Sequence, residues 1–324
     1  MKEGRIKKIF PLVILLASLV AIGLFFVVQK RASDKLAKEK ELVAQTENDK
    51  MNKPVKILFV GDMMFDRYIR QTAERKGSDF VFAGVKEILA GNDLVVGNLE
   101  GPITDKASVS VGSEIGARDN YIFTFNPDVA SELWKNNVKL VNIGNNHILN
   151  FGNDGLTQTK ENLQNNKVDF FGDPAGEKRI AVWNQKGLKL AFVSYNQFEK
   201  DGVAKTLADI KAAKQMNADE VVLYAHWGTE FVGQSDAKIK DLAHGFIDSG
   251  ADLIIGSHPH VVQDKEQYQG KMIYYSLGNF IFDQYFSFET QQGLAVQLEI
   301  DTKKQTTFKE LPVTMKANGQ TIFK

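Results

Sequence analysis

The sequence contains no cysteine. That absence excludes a structural disulfide, a thiol nucleophile, thiolate-held zinc or iron–sulfur, and attachment of lipid through a cysteine. No charge of one sign dominates either, since Lys+Arg and Asp+Glu number 40 each. The balance is uneven along the chain: residues 1–31 hold six basic groups and one acid, which leaves residues 32–324 at a net of −5. A duplex-binding domain carries the opposite sign, so nucleic acid is not an expected partner. No internal repeat or low-complexity tract is present. There is no Gly-x-Ser-x-Gly elbow and no P-loop, and Gly97–Gly101 lacks the dinucleotide spacing. A nucleotide-binding or dehydrogenase reading therefore has no phosphate cradle to rest on. With 43% hydrophobic and 25% charged residues in 324, wholesale disorder and collagen-like repeats are excluded as well.

Ile9 to Val28 reads IFPLVILLASLVAIGLFFVV, twenty residues without a charge. That is the length a helix needs to cross a bilayer. The basic MKEGRIKK before it places a cytoplasmic tail at 1–8, a transmembrane anchor at 9–28 and everything after it outside the membrane. A cleaved signal peptide is the alternative; its apolar core is shorter, about 7–15 residues, and ends at a small-x-small site, whereas this stretch runs into Gln29-Lys30-Arg31. Residues 29–53 are almost all polar and cannot bury a core, so they read as a solvated, partly helical stalk. The chain is thus expected on the cell membrane, single-pass, with the domain from 54 to 324 extracellular.

From Pro54 onward short apolar runs alternate with helix-like segments. The runs are 55–62, 93–100, 138–146, 189–196, 220–228, 251–260 and 271–282; helices are expected at 78–90, 127–136, 154–165, 206–217 and 235–249. Unbroken apolar strands between helices imply a buried α/β sheet. The alternating stretch 293–315, with Asp-Thr-Lys-Lys inside it, reads as an antiparallel hairpin.

The unusual residues collect at strand ends. Asp62, Asn98, Glu100, Asn145, Asn146 and four of the five histidines sit at or just past the carboxyl ends of the expected strands, where open α/β sheets bind ligands. His258-Pro259-His260 offers two imidazoles from one loop, a metal-ligand pattern whose bland alternative is two solvated histidines. His226 ends an apolar strand and reads either as core or as ligand, with Trp227 as a stacking wall or plain core and Glu230 as an acceptor for its other nitrogen. Asn145-Asn146-His147 offers an amide oxygen for a metal and an imidazole able to protonate a leaving group; an Asn-rich turn is the alternative. Asp62 and Glu100 are carboxylates on buried strands, costly unless paired or metal-bound. Either bridges two cations, or Asp62 is an N-cap or a partner of Arg67. His244 lies inside a helical pattern and reads as structural.

Six stretches in order resemble the CapA family of bacterial capsule (poly-γ-glutamate) synthesis proteins. They are Gly61-Asp-Met-Met-Phe-Asp-Arg67, Gly97-Asn-Leu-Glu-Gly-Pro-Ile-Thr104, Gly144-Asn-Asn-His147, His226-Trp-Gly-Thr-Glu230, Gly250-Ala-Asp-Leu-Ile-Ile-Gly-Ser-His-Pro-His-Val-Val-Gln263 and Tyr275-Ser-Leu-Gly-Asn-Phe-Ile-Phe-Asp-Gln284. The resemblance implies a metallophosphatase-like four-layer αββα sandwich of the calcineurin type, one or two divalent ions (Mn, Fe or Zn), and a metal-activated water. It implies Asp62 and His260 at one metal, Glu100 as the bridging carboxylate, Asn146, His226 and His258 at the second metal, and His147 as general acid. Arg67, if turned inward, would favour an anionic group. Met64 stands where the wider superfamily has a histidine, which weakens the first metal position, and Asn150 where relatives often carry Asp. Two functions follow. One is a hydrolase acting on a phosphoester or on the amide of an anionic polymer; the other is a non-catalytic subunit that anchors or exports that polymer beside membrane-bound synthesis and export partners.

Overall fold

The computed structural model describes the backbone of residues 3–51 and 53–324, and side chains at 18–20, 22–42, 45 and 53–324. The chain divides into two units, Met1–Pro54 and Val55–Lys324. The first is a single helix, α1 (Glu3–Met51), and its described side chains are exposed. The stretch 9–28, read above as a membrane anchor, has the side chains of 9–17 and 21 outside the described residues. Among those described, no helix is long and apolar enough to cross a membrane.

The second unit contains strands β1 (Val55–Met63), β2 (Leu94–Leu99), β3 (Val138–Asn142), β4 (Asp169–Phe171), β5 (Ile180–Gln185), β6 (Leu188–Asn196), β7 (Glu220–His226), β8 (Leu253–Ser257), β9 (Lys265–Tyr268), β10 (Lys271–Tyr274), β11 (Asn279–Ile281), β12 (Gln292–Ile300), β13 (Thr306–Met315) and β14 (Thr321–Phe323). Its helices are α2 (Arg67–Lys76), α3 (Asp79–Phe82), α4 (Lys86–Ala90), α5 (Asp128–Lys135), α6 (Gly152–Asn165), α7 (Gly202–Gln215) and α8 (Ala237–Asp248). The strands form two sheets, ordered β14-β13-β12-β1-β2-β3-β4, with β11 also on β1, and β5-β6-β7-β8-β10-β9.

The period-2 alternation of side chains explains why the sheets stack. Ile57 and Phe59 of β1 face Phe192, Tyr224 and Ile255 of the other sheet in one apolar cluster. Leu58 and Val60 point the opposite way, into a cluster with Ile69, Leu133 and Leu156 of the helices. On the far side, Val193, Leu223 and Ile254 pack on Ile210 of α7 and Phe246 of α8. The result is a mixed α/β sandwich, two sheets face to face with helices outside both.

Two expectations are corrected, and one helix had not been expected. The helix expected at 78–90 is two short pieces, α3 and α4, because Gly84 sits so close to β14 that a Cβ there would lie 2.5 Å from the Thr321 carbonyl. The run 271–282 is not one strand: β10 belongs to the second sheet and β11 to the first. The turn at 275–278 carries the chain across the gap between sheets. The leading helix α2, capped by the Asp66 carboxylate on the Arg67 N–H, was hidden in a polar stretch. The hairpin expected at 293–315 forms as β12 and β13, paired from Gln292–Thr314 to Ile300–Thr306.

The crossing requires glycine. At Gly61 a Cβ would stand 1.8 Å from the Gly278 carbonyl, and at Gly256 it would stand 1.9 Å from that of Tyr275. A Cβ on Gly245, in α8, meets nothing within 4 Å. Gly256→Ala is therefore expected to destabilise the domain by ~3 kcal/mol or more through overpacking. Gly245→Ala should be neutral or stabilising by about 0.5–1 kcal/mol from helix propensity. Thermal melting of the two variants checks this, and equal melting temperatures would refute the close approach.

Candidate metal centre

Strand register assembles the centre. In the first sheet Asp62 pairs with Asn98, and Asn98 with Asn142. Asp62 is also opposite Asn279 of β11. In the second sheet Asn196 pairs with His226, and His226 with Ser257. Polar side chains thus occupy successive strands at one level of each sheet, and a slip of one residue would turn all of them away. Glu100, Asn145, Asn146, His147, His258 and His260 follow directly from these strand ends.

Asn98 lies at the middle and is fully buried. Its Nδ2 donates to Asp62 Oδ1 at 2.9 Å, with Glu100 Oε2 at 3.4 Å and His226 Nδ1 at 3.3 Å. Its Oδ1 accepts from Asn142 Nδ2 and Asn145 Nδ2, both at 3.1 Å. Asp62 is saturated, because Oδ2 also accepts the His258 backbone N–H at 3.1 Å and lies 3.4 Å from His260 Nδ1. His226 sets Nδ1 on Ser257 Oγ at 3.1 Å and Nε2 on Asn146 Oδ1 at 2.8 Å. His260 holds Nδ1 against Asn279 Oδ1 at 3.0 Å and turns Nε2 to Glu100 Oε1 at 3.5 Å. His147 Nε2 stands 3.9 Å from the same oxygen.

Among the described residues eight buried side-chain atoms have no hydrogen-bond partner, and two of them, Glu100 Oε1 and His258 Nδ1, belong to this centre. Ligand atoms of Glu100, His258 and His260 all lie within 4.8 Å of one another. Leaving such groups unpaired in the interior costs about 1–3 kcal/mol each. A cation held by these three side chains would relieve that cost at the atoms it touches, and a carboxylate with two imidazoles suits Mn, Fe or Zn. The residues present fit a divalent ion. Backbone strain marks the same loop, with His258 at φ 97° and His260 at φ 58°. Non-glycine residues held there cost of order 1–3 kcal/mol, and such strain gathers at functional sites.

The electrostatics point the same way. Burial pushes the Glu100 carboxyl well above its usual range, and the Asp62 charge adds to it. Burial also works against ionised Asp62, but the His260 contact and charge, then His226 and Asn98, bring that carboxyl down to about 2. Burial, then the neighbouring imidazoles His260 and His258, takes His147 down to about 3. Burial and His260 take His258 to about 4, and burial with His258 holds His226 well below its ordinary value. Without a cation the centre thus keeps one carboxylate ionised, one protonated, and these imidazoles neutral.

Of the residues singled out from sequence, Asp62, Glu100, Asn146, His147, His226, His258 and His260 come together. Arg67 does not aim at this centre. Its guanidinium forks onto Asp283, donates to Asn120 Oδ1 at 3.1 Å, and lies over the rings of Phe123 and Phe282. The cap and partner roles weighed for Asp62 fall instead to Asp66 and Asp283. Met64 is buried in the helix-side cluster, its sulfur accepting the Asp66 N–H. Trp227 is core, donating Nε1 to the Tyr275 carbonyl. Ser257 and Asn98, not Glu230, meet the second nitrogen of His226. Asn150 lies 3.3 Å from His147 Nδ1 and donates to the Tyr121 carbonyl. His244 is away from the centre, stacked on Tyr268 and paired with Glu266. Sequence reasoning assigned no role to Asn142, Ser257 and Asn279, which orient the ligand-type groups; their only signal was position at a strand end.

Fold and site together define an α/β sandwich with a histidine–carboxylate centre at its strand ends. The chain belongs to the family described as "Bacterial capsule synthesis protein PGA_cap", whose model matches residues 56–284. It is similar to "PGA biosynthesis protein CapA" of Bacillus subtilis (strain 168), 31% identical over 276 residues that cover 79% of this chain and 70% of the relative. It is also similar to "Capsule biosynthesis protein CapA" of Bacillus anthracis, 29% identical over 282 residues, 80% of this chain and 66% of that one. The chain therefore matches about two thirds of the length of these relatives. Among solved structures, the NAD nucleotidase NadN of Haemophilus influenzae superposes with a TM-score of 0.50 at 12% identity, over 84% of this chain and 60% of that one. That likeness concerns the fold alone.

The neutral imidazoles make stability pH-dependent. An unfolded histidine titrates near ~6.5, whereas His147 and His258 titrate at about 3 and about 4 in the fold. Their contribution is fully present above pH ~6.5 and is lost as pH falls toward about 4, because the unfolded chain takes up protons the folded one refuses. Protonated Glu100 acts in the opposite sense, one group against three imidazoles. The cation-free protein is expected to lose ~5 °C or more of melting temperature across that window. A His147→Gln/His258→Gln variant should lose distinctly less, and parallel profiles would refute the assignment.

Proposed function

We propose that this chain is a membrane-anchored, metal-dependent hydrolase acting outside the cell in the production of an anionic capsular polymer such as poly-γ-glutamate. The observation that carries this reading is the buried group Glu100, His258 and His260, whose ligand atoms lie within 4.8 Å of one another and which includes two atoms without a hydrogen-bond partner, Glu100 Oε1 and His258 Nδ1. Glu100, His258 and His260 would hold the ion, with Asn146 and His226 beside them as further donors. When bound, a divalent cation lowers the pKa of coordinated water and polarises the scissile group. The rest is done by protein side chains. Asp62 fixes the His260 ring and the His258 backbone, and Asn98 fixes Asp62. His147, a neutral imidazole whose ring lies 4.4 Å from that of Phe123 at a tilt of 36°, is the group that moves a proton. An anionic substrate group beside it would raise its pKa and let it donate to the leaving group. Phe198, with its ring 4.9 Å from His258, shields that imidazole from water.

The anchor belongs to the same proposal. It is supported by twenty uncharged residues at 9–28 behind a basic tail. The partners would then be the membrane itself and polymer synthesis or export subunits within it. A second reading, a non-catalytic assembly or export subunit, has one observation in its favour: Met64 contributes core packing where the wider superfamily has a ligand.

Cation binding to this centre should displace the Glu100 proton, since ligands bind deprotonated. Titrating Mn²⁺ into metal-free protein at neutral pH is expected to give roughly one bound ion and the release of about one proton. Calorimetry in buffers of different ionisation heat reads the proton count. Glu100→Gln should abolish the release, and His258→Ala should abolish binding. His147→Ala should keep the ion but lose about 100-fold or more in hydrolysis of a phosphoester or γ-glutamyl amide probe. Undiminished polymer output from His147→Ala cells would favour the non-catalytic reading. Deleting residues 9–28 should release the protein from membranes on alkaline extraction; release of the intact chain by the same treatment would argue against the anchor.

A further inference from the structure

Next to the centre lies a groove of about 350 Å³, walled by the start of α2, the 110–121 loop, Phe231 and the 283–286 segment. It adjoins the centre on two sides. The Phe231 ring is 6.1 Å from that of His260, and Arg67 covers Phe123, whose ring touches that of His147.

The groove is electrically spent. Arg67 and Asp283 are its only ionised lining residues, and they neutralise each other, with side-chain exposures of 13% and 8%. The remaining polar lining is neutral: the amides of Gln71 and Gln284 and the hydroxyls of Tyr68 and Tyr121, with Ser110, Ser113 and Asn120 behind them bonded to one another and to Arg67. Along one wall Phe231 and Phe286 meet edge to face at 5.3 Å and remain 47% and 67% exposed. Exposed aromatic rings in contact at the mouth of a cleft mark a binding surface.

We infer that this groove binds a neutral saccharide unit of the substrate or acceptor, its apolar ring face on Phe231 and Phe286 and its hydroxyls on the amides of Gln71 and Gln284 and the hydroxyls of Tyr68 and Tyr121. A sugar ring presents hydrogen-bonding groups around its edge and C–H on its faces, which matches one aromatic wall and one neutral polar wall. A run of γ-linked glutamates fits poorly, since each carboxylate that loses water needs a cation in return, and the lining has none to spare. The inference rests on the hydrolytic reading of the centre for its place beside a reacting bond, but binding in the groove requires neither ion nor turnover.

The test uses the full chain in detergent with chelator present, so that it is independent of the metal. Calorimetric titration compares a tetramer of N-acetylglucosamine and a glucose tetramer with a γ-glutamyl tetramer. At least one saccharide is expected to bind more tightly than the γ-glutamyl peptide, with little dependence on salt, and Phe286→Ala or Phe231→Ala should weaken it about tenfold. Both rings are largely exposed, so these variants should melt like the parent. Failure of both saccharides to bind, undiminished binding by the variants, or tighter and salt-sensitive binding of the γ-glutamyl tetramer would each overturn the inference. Saccharide binding in a protein that takes up no Mn²⁺ would sink the hydrolase reading and leave this one standing.

Discussion

The buried amide of Asn98 is the constraint on which the centre depends. It sits in β2 between β1 and β3, and uses both halves of its side chain at once, donating to Asp62 and accepting from Asn142 and Asn145. Only an amide does this. A carboxylate in its place would set a third acid beside Asp62 and Glu100 and lose the donor, while a leucine would take one hydrogen-bond partner from each of Asp62, Asn142 and Asn145. From Asn98 the order passes outward: Asp62 holds the His258 backbone and the His260 ring, and Asn145 receives the His147 N–H. The centre is stiff because each member has its partner chosen by another.

That network would have no second half without the chain crossing at 275–279. Leu277 donates its N–H to the Gly256 carbonyl of β8, and the Asp62 N–H donates to the Gly278 carbonyl. One short segment thus fastens both sheets at the level of the ligand-type residues. Gly61 and Gly256 allow the backbones to touch there. Asn279, next in line, orients His260 from the first sheet although His260 itself follows a strand of the second. The Tyr224 hydroxyl adds a further tie from the second sheet to the Val60 carbonyl of the first.

Much of this was legible in the residues themselves. The apolar runs ending in Gly, Asn or His gave strand ends, and strand ends gave the grouping of Asp62, Glu100, His147, His226, His258 and His260. What periodicity could not convey was tertiary. The run 271–282 is apolar throughout, and nothing local says that its halves join different sheets. Gly84 breaks a helix because of β14, more than two hundred residues away. Arg67 is five residues from Asp62 and suggests a pair, but Asp283 offers its guanidinium a bidentate fork between two aromatic rings, a better site for a planar cation. Asn142 and Ser257 carry no chemical signature of their own; they matter because the register places them opposite Asn98 and His226.

The contrast between centre and groove bears on what such a protein can handle. At the centre, carboxylates and imidazoles are crowded out of water, with Glu100 kept protonated by burial and by Asp62. Such a cluster is least stable alone and most stable around positive charge. In the groove, the one cation and the one anion are already matched, and what remains is neutral and aromatic. Charge selection is therefore confined to a small volume at the strand ends, where an ion and an anionic group would meet. On the proposed reading, recognition of everything further along a substrate would fall to shape, stacking and neutral hydrogen bonds. A protein that worked this way would discriminate by what is joined to the anionic group rather than by total charge, and a long polyanion would engage it through one unit at a time.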